Sequence, residues 1–205
     1  MNSLECIRTR RSVRKFTEQK VPHELLEELV ETARFAPSWK NTQIVRYIAV
    51  EDAALKARIA EEATIPWNAA IIGGAPVLMV LTYLEGRCGY ERDGSFSTTK
   101  GDRWQNFDCG VAAQTLALAA HEKGLGSVIL GIFEEETLAR ILELPEGKRS
   151  PALSRWDIRP NSPKRPAAKR SPTCSRSAEP YFTPIIKKPS PIAQGRLFGI
   201  LVWLF

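Results

Sequence analysis

The chain has 205 residues, of which 43% are hydrophobic and 25% are charged, and its formal net charge is +6 at pH 7. This length and balance suit one globular domain, and no apolar run is long enough to span a membrane. The opening residues 1–14 lack the apolar centre of a secretion signal, so we expect a cytoplasmic protein without a membrane partner.

The spacing of apolar residues predicts helices interleaved with strands up to about residue 142, an order that favours a layered α/β or α+β domain. Pro22 suits the first turn of a helix that Pro37 stops, and Gly124 and Gly126 end the longest helix. In chain order we predict helices over residues 4–9, from 22 to the stop at 37, and over 53–62, 67–72, 104–123 and 134–142. We predict strands over residues 45–50, 75–83 and 127–133, and a surface loop over 85–100.

The composition changes at residue 150. Residues 150–205 hold nine of the 14 prolines and ten of the 29 Lys/Arg residues but only two acids, so this segment carries a net charge of +8. We predict one domain over residues 1–149 and a basic, Pro-rich tail over residues 150–205. The tail should be disordered over residues 155–177, where too little apolar surface is present to offset chain ordering. Residues 197–205 are apolar and form an aggregation hazard.

Few residues suit metal binding or nucleophilic catalysis. The four cysteines are scattered without a CxxC pair, so we interpret them as reduced thiols, and Cys109 as an apolar filler of the long helix. The two histidines, His23 and His121, give little material for a metal centre or a Ser-His-Asp triad. We interpret His121 as a helix cap or surface residue.

Two polar segments are the main candidates for ligand binding. Arg10, Arg11, Ser12 and Arg14 lie within five residues, which we call the 10–14 turn, and their forked donors suit a phosphate. Residues 36–43 place hydroxyl and amide groups at a helix end, where they suit a polar ring edge. A solvated basic turn and a plain helix stop explain the same residues. The glycines over residues 124–131 would permit close approach of a flat ligand.

Together these segments resemble the FMN-dependent nitroreductase family over roughly residues 4–149. The family patterns RRSxRxF and APSxxNxQ both occur, and residues 108–114 with 124–127 are similar to the family's central helix and its exit. The matching residues of the first two patterns are Arg10, Arg11, Ser12, Arg14 and Phe16, and Ala36, Pro37, Ser38, Asn41 and Gln43.

The resemblance implies an α+β fold, a mixed and mainly antiparallel sheet flanked by helices, and a homodimer with two FMN sites at its interface. Arg10, Ser12 and Arg14 would hold the FMN phosphate, ribityl chain and ring edge, with Arg11 nearby. Pro37, Ser38 and Asn41 would reach FMN from the partner subunit. Asn68 would face the flavin pyrimidine, and a backbone N–H near residues 130–131 would lie at flavin N5. The implied FMN-binding residues are Arg10, Arg11, Ser12, Arg14, Pro37, Ser38, Asn41, Gln43, Asn68, Leu130 and Gly131.

The implied activity is electron transfer from NAD(P)H through FMN to a nitroaromatic or quinone-like acceptor by a ping-pong mechanism. The flavin carries the chemistry, so we expect no catalytic side chain and no metal. One alternative is a relative of this fold without nitroreductase activity, either dehalogenase-like or an inactive binder. The other is a module whose basic tail binds nucleic acid or another polyanion. Charge alone supports the latter, so we expect no nucleic-acid partner.

The tail departs from the family pattern after residue 149. The family continues with a strand ending in Leu-Gly-Tyr-Pro, a basic pair and a closing helix. The sequence of residues 150–205 shows none of these patterns. Codons for residues 155–158 can spell Leu-Gly-Tyr in another frame, so we hypothesise a frameshift between about residues 149 and 155. In the family these basic residues help to bind the FMN phosphate. Their absence from the expected place therefore affects the FMN affinity and the dimer stability that we expect of this chain.

Overall fold

An antiparallel sheet with helices packed on its two faces forms the fold. The computed structural model describes residues 2–15, 17, 19–158, 193–197 and 200–204, with side-chain surroundings up to residue 147. The helices are α1 (Ser3–Thr9), α2 (His23–Ala33), α3 (Ala53–Ala63), α4 (Pro66–Gly73), α5 (Arg103–Glu122) and α6 (Glu135–Ile141). The strands are β1 (Val45–Val50), β2 (Val77–Leu84), β3 (Leu125–Leu130), β4 (Lys148–Ile158), β5 (Ala193–Leu197) and β6 (Ile200–Leu204).

The sheet order is β3-β4-β2-β1-β6-β5, and every neighbouring pair is antiparallel. A single parallel bridge joins Ser12 to Ser127 outside the strand pairs of the described residues. The predicted class, an α+β fold with a mixed and mainly antiparallel sheet flanked by helices, is therefore confirmed.

Alternating residues of the central strands bury two separate cores. Tyr47 and Ala49 of β1 join a cluster with α2 and α5, whereas Ile48 and Val50 join a cluster with α3, α4 and α6. Successive strand residues point to opposite faces, so the two clusters lie on opposite sides of the sheet. This burial explains why the apolar run of β2 has little alternation, as predicted.

Strand β3 lies two to three residues closer to the N-terminus than predicted. Gly124, with φ +79°, completes the turn after α5 alone, and Gly126 already belongs to the strand, so it is not a helix stop. The strand ends at Leu130, which leaves residues 131–133 outside it. Two glycines in close succession made the helix end look later than it is.

Strand β4 corrects the predicted start of the disordered tail. It runs through residue 158 and pairs with β2 on one side and with β3 on the other. The unpaired backbone groups of β2 and β3 give this segment partners that a local composition argument does not count. Residues 159–177 of the predicted disordered segment lie outside the described residues, so their disorder stays a prediction, as does the domain boundary.

No helix in the described part of the chain is both long enough and apolar enough to cross a membrane.

Candidate functional site

The 10–14 turn lies against the beginning of β3. The Val13 backbone N–H donates to the Ser127 carbonyl at 2.9 Å, next to the Ser12–Ser127 bridge. Val13 is buried, and its side chain lies 3.1 Å from the point that a Cβ on Gly126 would occupy. Gly126 therefore allows the turn to approach the strand this closely.

The 10–14 turn brings three guanidinium groups close together in the chain. Arg10 and Arg11 are half-buried, whereas Ser12 and Arg14 are exposed. Arg11 Nη1 donates to the Arg10 carbonyl at 2.6 Å. Within the described ranges, none of the three arginines forms an ion pair with a carboxylate. The donor set fits a phosphate, since forked cationic donors without an internal anion are available for one.

The second predicted segment forms a tight polar loop over residues 38–43, which we call the 38–43 loop. The Gln43 backbone N–H donates to Ser38 Oγ at 3.0 Å, and Gln43 Nε2 donates to Asn41 Oδ1 at 2.9 Å. Three residues of the loop have left-handed backbone angles, with φ +44° at Lys40, +56° at Asn41 and +48° at Gln43. Such angles are unfavourable for residues with a Cβ, so the loop needs bonds to its surroundings to keep its shape.

Asp108 of α5 supplies one of those bonds. Its carboxylate is only 2% exposed, and both of its oxygens lie 3.0 Å from the Trp39 backbone nitrogen, which donates to them. Cys88 Sγ donates to Asp108 Oδ2 at 3.1 Å. The carboxylate therefore joins the 38–43 loop to the long helix across 69 residues of sequence.

The thiols beside this carboxylate are protonated at neutral pH. Burial, together with the hydrogen bond and charge of Asp108, raises the pKa of Cys88 to about 12 against a smaller lowering by Thr42. Burial, with smaller contributions from the Asp108 and Cys88 charges, raises the pKa of Cys109 to about 12. A protonated, buried thiol is a poor nucleophile, which agrees with the interpretation of Cys109 as a filler.

Asn68 is held at the other end of β3. It is buried at 5% exposure, and its Nδ2 donates to the Ile132 carbonyl at 2.8 Å. This bond fixes the segment that follows Leu130 and Gly131. Leu130 directs its side chain into the α3–α4–α6 core, whereas the space beside Gly131 is open. Only the backbone at residues 130–131 is therefore placed to meet a ligand.

A single chain brings together some of these predicted residues and separates others. Strand β3 connects the 10–14 turn, at Ser127, with residues 130–131, which lie about 10–13 Å further along the chain, and Asn68 lies at that end. The 38–43 loop lies elsewhere, beside Asp108.

The 10–14 turn and the 38–43 loop lie near opposite ends of α5, so the length of this helix gives the distance between them. A hydrogen bond of 2.7 Å joins Thr9, next to the 10–14 turn, to His121, and Cys6 Sγ lies 3.4 Å from the Leu118 carbonyl. His121 and Asp108 are about 20 Å apart along the helix axis. His121 is also 2% exposed, so its interpretation as a surface residue is wrong, because α1 covers it.

An aromatic group lies beside the 38–43 loop. The Trp39 and Trp104 ring centroids are 6.3 Å apart, and those of Trp104 and Phe107 are 5.5 Å apart. Lys40 and Lys100 place ammonium groups over the Trp39 and Trp104 rings at 4.5 and 4.4 Å. Our sequence interpretation missed Asp108 and Trp104 as neighbours of the loop, and Phe107 as a neighbour of Trp104. The signal for Asp108 was an acid among the apolar positions of the long helix.

The comparisons with known proteins decide the family. A family model described as the nitroreductase family matches residues 7–70 and 66–153. The chain belongs to the nitroreductase family. The sequence resemblance over residues 4–149 is thus confirmed, and the chain is an oxidoreductase of the nitroreductase type.

Relatives of this nitroreductase family member agree with that class. A protein of Methanothermobacter thermautotrophicus, provisionally named an NADH dehydrogenase/NAD(P)H nitroreductase, is 32% identical over 150 residues, which are 71% of each chain. The FMN reductase [NAD(P)H] of Bacillus subtilis is 29% identical over 153 residues, or 70% of this chain and 60% of the relative. The crystal structure of a nitroreductase family protein from Clostridium novyi NT superimposes with a TM-score of 0.67 at 26% identity, covering 81% of this chain and 89% of that one.

Proposed function

We propose that two copies of this chain bind FMN at their interface and pass electrons from NAD(P)H to a nitroaromatic or quinone-like acceptor. The observation that carries the proposal is the position of the two polar segments at opposite ends of α5. The name of the Bacillus subtilis relative, an FMN reductase, supports the cofactor. The names of the Methanothermobacter thermautotrophicus and Bacillus subtilis relatives support NAD(P)H as the reductant.

The exposed side of α5 explains how a partner subunit would complete the site. Phe107 is 60% exposed, and Gly110 and Gln114 are exposed on the following turns. In a twofold dimer this surface would meet its own copy, and a twofold axis perpendicular to α5 would make the two α5 helices run antiparallel. The Asp108 end of one helix would then lie near the His121 end of the other. This arrangement would bring the 38–43 loop of one chain to the 10–14 turn of its partner.

Each segment of the chain would have a distinct part in binding. Arg10, Arg11 and Arg14 would neutralise a phosphate and stabilise negative charge on a bound ring. Ser12 would add a hydroxyl donor at the same turn. Across the interface, Pro37, Ser38, Asn41 and Gln43 would present the polar groups of the loop.

The far end of β3 would define the slot for the ring. Asn68 would hold the backbone after Leu130, and Gly131 would leave the slot open for a flat ligand. Bound FMN would supply the redox chemistry, and NAD(P)H and the acceptor would take one place beside the bound ring in turn.

The interface location can be tested with two complementary variants. One chain carries Arg10→Ala and Arg14→Ala, the other carries Ser38→Ala and Asn41→Ala, and each alone should bind FMN poorly. A 1:1 mixture that exchanges subunits should recover about a quarter of the wild-type FMN sites, because half of the dimers are mixed and each has one intact site. Titration of FMN fluorescence measures the recovery. No recovery in a mixture with demonstrated mixed dimers would place the site within one chain and contradict the proposal.

The activity is tested on the same purified protein. We expect flavin absorption bands and oxidation of NAD(P)H that depends on a nitroaromatic or a quinone. A flavin-bearing protein that does not oxidise NAD(P)H with either acceptor would instead favour the redox-inactive relative.

A further inference from the structure

We propose that Asp108 is a positioning residue of the candidate site, which holds the 38–43 loop in the shape that presents Ser38 and Asn41 to the ligand. This inference rests on the proposed function, since it assigns the loop a ligand. The role differs from that of the 10–14 turn, because Asp108 itself would not touch the ligand. It would act through the Trp39 backbone.

The surroundings of Asp108 are unusual for a carboxylate. It is almost fully buried, and a buried charge is costly unless hydrogen bonds or a counter-charge compensate it. In the part of the chain that the structure describes, Asp108 forms no ion pair, and its donors are the Trp39 backbone N–H and the Cys88 thiol. Both oxygens of the carboxylate are thus placed to accept a hydrogen bond from a backbone N–H of the 38–43 loop.

The loop depends on this contact because its own conformation is unfavourable. Left-handed angles at Lys40, Asn41 and Gln43 are unfavourable for residues with a Cβ, and least so for Asn. Inside the loop, the Asn41 N–H donates to the Ser38 carbonyl and the Gln43 N–H to Ser38 Oγ, both at 3.0 Å. A shift of Trp39 would therefore move Ser38 and both of these bonds.

The other contacts of the loop do not replace Asp108. Arg46 Nη1 donates to the Gln43 carbonyl at 2.8 Å and so holds the far end of the loop. Lys40 forms an ion pair with Glu91 at 2.6 Å, but both side chains are about half exposed, and such pairs contribute little. Asp108 is the buried contact at the end where Ser38 begins the loop.

The chain offers a matched control on the same helix. Gln105 is also buried on α5, and its Oε1 accepts the Gly86 backbone N–H at 3.1 Å, which anchors a different loop. Asp108→Ala and Gln105→Ala therefore each remove a buried acceptor of a backbone N–H. Only the first should affect the 38–43 loop.

The experiment measures FMN affinity and backbone amide hydrogen exchange in the FMN-free protein. Asp108→Ala should raise the FMN Kd tenfold or more and speed exchange at Trp39, whereas Gln105→Ala should leave the Kd within threefold and speed exchange at Gly86. Asp108→Asn keeps one acceptor oxygen and should recover part of both properties. Asp108→Leu lacks the acceptor but fills the volume, so it takes the place of Asp108→Ala if the latter does not fold.

Two outcomes would overturn the inference. One is an unchanged FMN Kd in a folded Asp108→Ala or Asp108→Leu protein, and the other is unchanged exchange at Trp39. Failure of the proposed function looks different, because the wild-type protein would then bind no FMN while exchange at Trp39 would still respond to Asp108.

Discussion

The 10–14 turn and the 38–43 loop present polar groups in opposite ways. The turn carries three guanidinium groups that form no ion pair among the described residues, and its backbone contacts β3 through Val13. The loop carries little charge of its own, has a strained backbone, and is anchored to a buried carboxylate and an exposed ion pair. The turn is therefore suited to attract an anion, and the loop to hold a fixed pattern of donors and acceptors.

Because one segment is charged and the other is strained, we expect them to respond to different changes in solution conditions and in sequence. An exposed cluster of charge responds to salt and to removal of charge, with little effect on folding. The stability of a strained loop that is anchored to a buried carboxylate should change with backbone substitutions. It should also change with pH, because thiols are buried beside that carboxylate.

The largest effect is expected from removal of charge in the turn. Arg10→Ala with Arg14→Ala should weaken FMN binding by about 100-fold, since hydrogen bonds to charged groups contribute about 1.5–3 kcal/mol each. Arg8→Ala, an exposed basic residue on α1, is the matched control and should change the Kd little. Fluorescence titrations at two salt concentrations provide the measurement. An equal loss of FMN affinity in the double variant and in the control would contradict the proposed role of the turn.

A smaller effect is expected from the backbone of the loop. Lys40→Val and Lys40→Gly both lose the contact with Glu91, but only valine retains the Cβ at φ +44°. The valine variant should be less stable than the glycine variant by about 1–2 kcal/mol, because a branched Cβ is poorly tolerated in this conformation. Urea unfolding of the two proteins compares them directly. Equal stabilities would show that the left-handed angle carries no strain.

The smallest effect concerns the thiols beneath the loop. The pKa values of Cys88 and Cys109 are raised to about 12 from 9.0. The folded state keeps these protons where the unfolded state loses them, so the stabilisation is complete below pH 9.0 and decreases as the pH rises towards 12.

The free energy of unfolding at pH 8 and pH 10 should show this dependence. Between these values, wild type should lose about 1 kcal/mol more than Cys109→Ala, which has one such thiol fewer. Parallel losses in the two proteins would contradict the raised pKa of Cys109.

Much of the fold could be predicted from local patterns. The predicted strand 45–50 coincides with β1, and the predicted helix 104–123 differs from α5 by one residue at each end. These elements have strong apolar patterns and clear stops. The 10–14 turn and residues 36–43 could be recognised because each matches a short family pattern within consecutive residues.

The missing parts depend on contacts between distant residues. The bond between Asp108 and Trp39 joins positions that no spacing rule connects, and left-handed angles at Lys40 and Gln43 are unexpected for residues other than glycine. Strand β4 was missed because its partners, not its composition, stabilise it. The frameshift hypothesis concerns the coding DNA and stays a prediction, which sequencing of the codons for residues 149–158 would test.

The position of β4 between β3 and β2 also affects how the chain can be synthesised. The segment that closes the gap follows residue 147, so a nascent chain whose residues only up to 147 have left the ribosome carries two open strand edges instead of a continuous sheet. Such edges pair readily with other chains. These edges should therefore stay open from the emergence of β3 until residues 148–158 have also left the ribosome, and a chaperone should matter most in that interval.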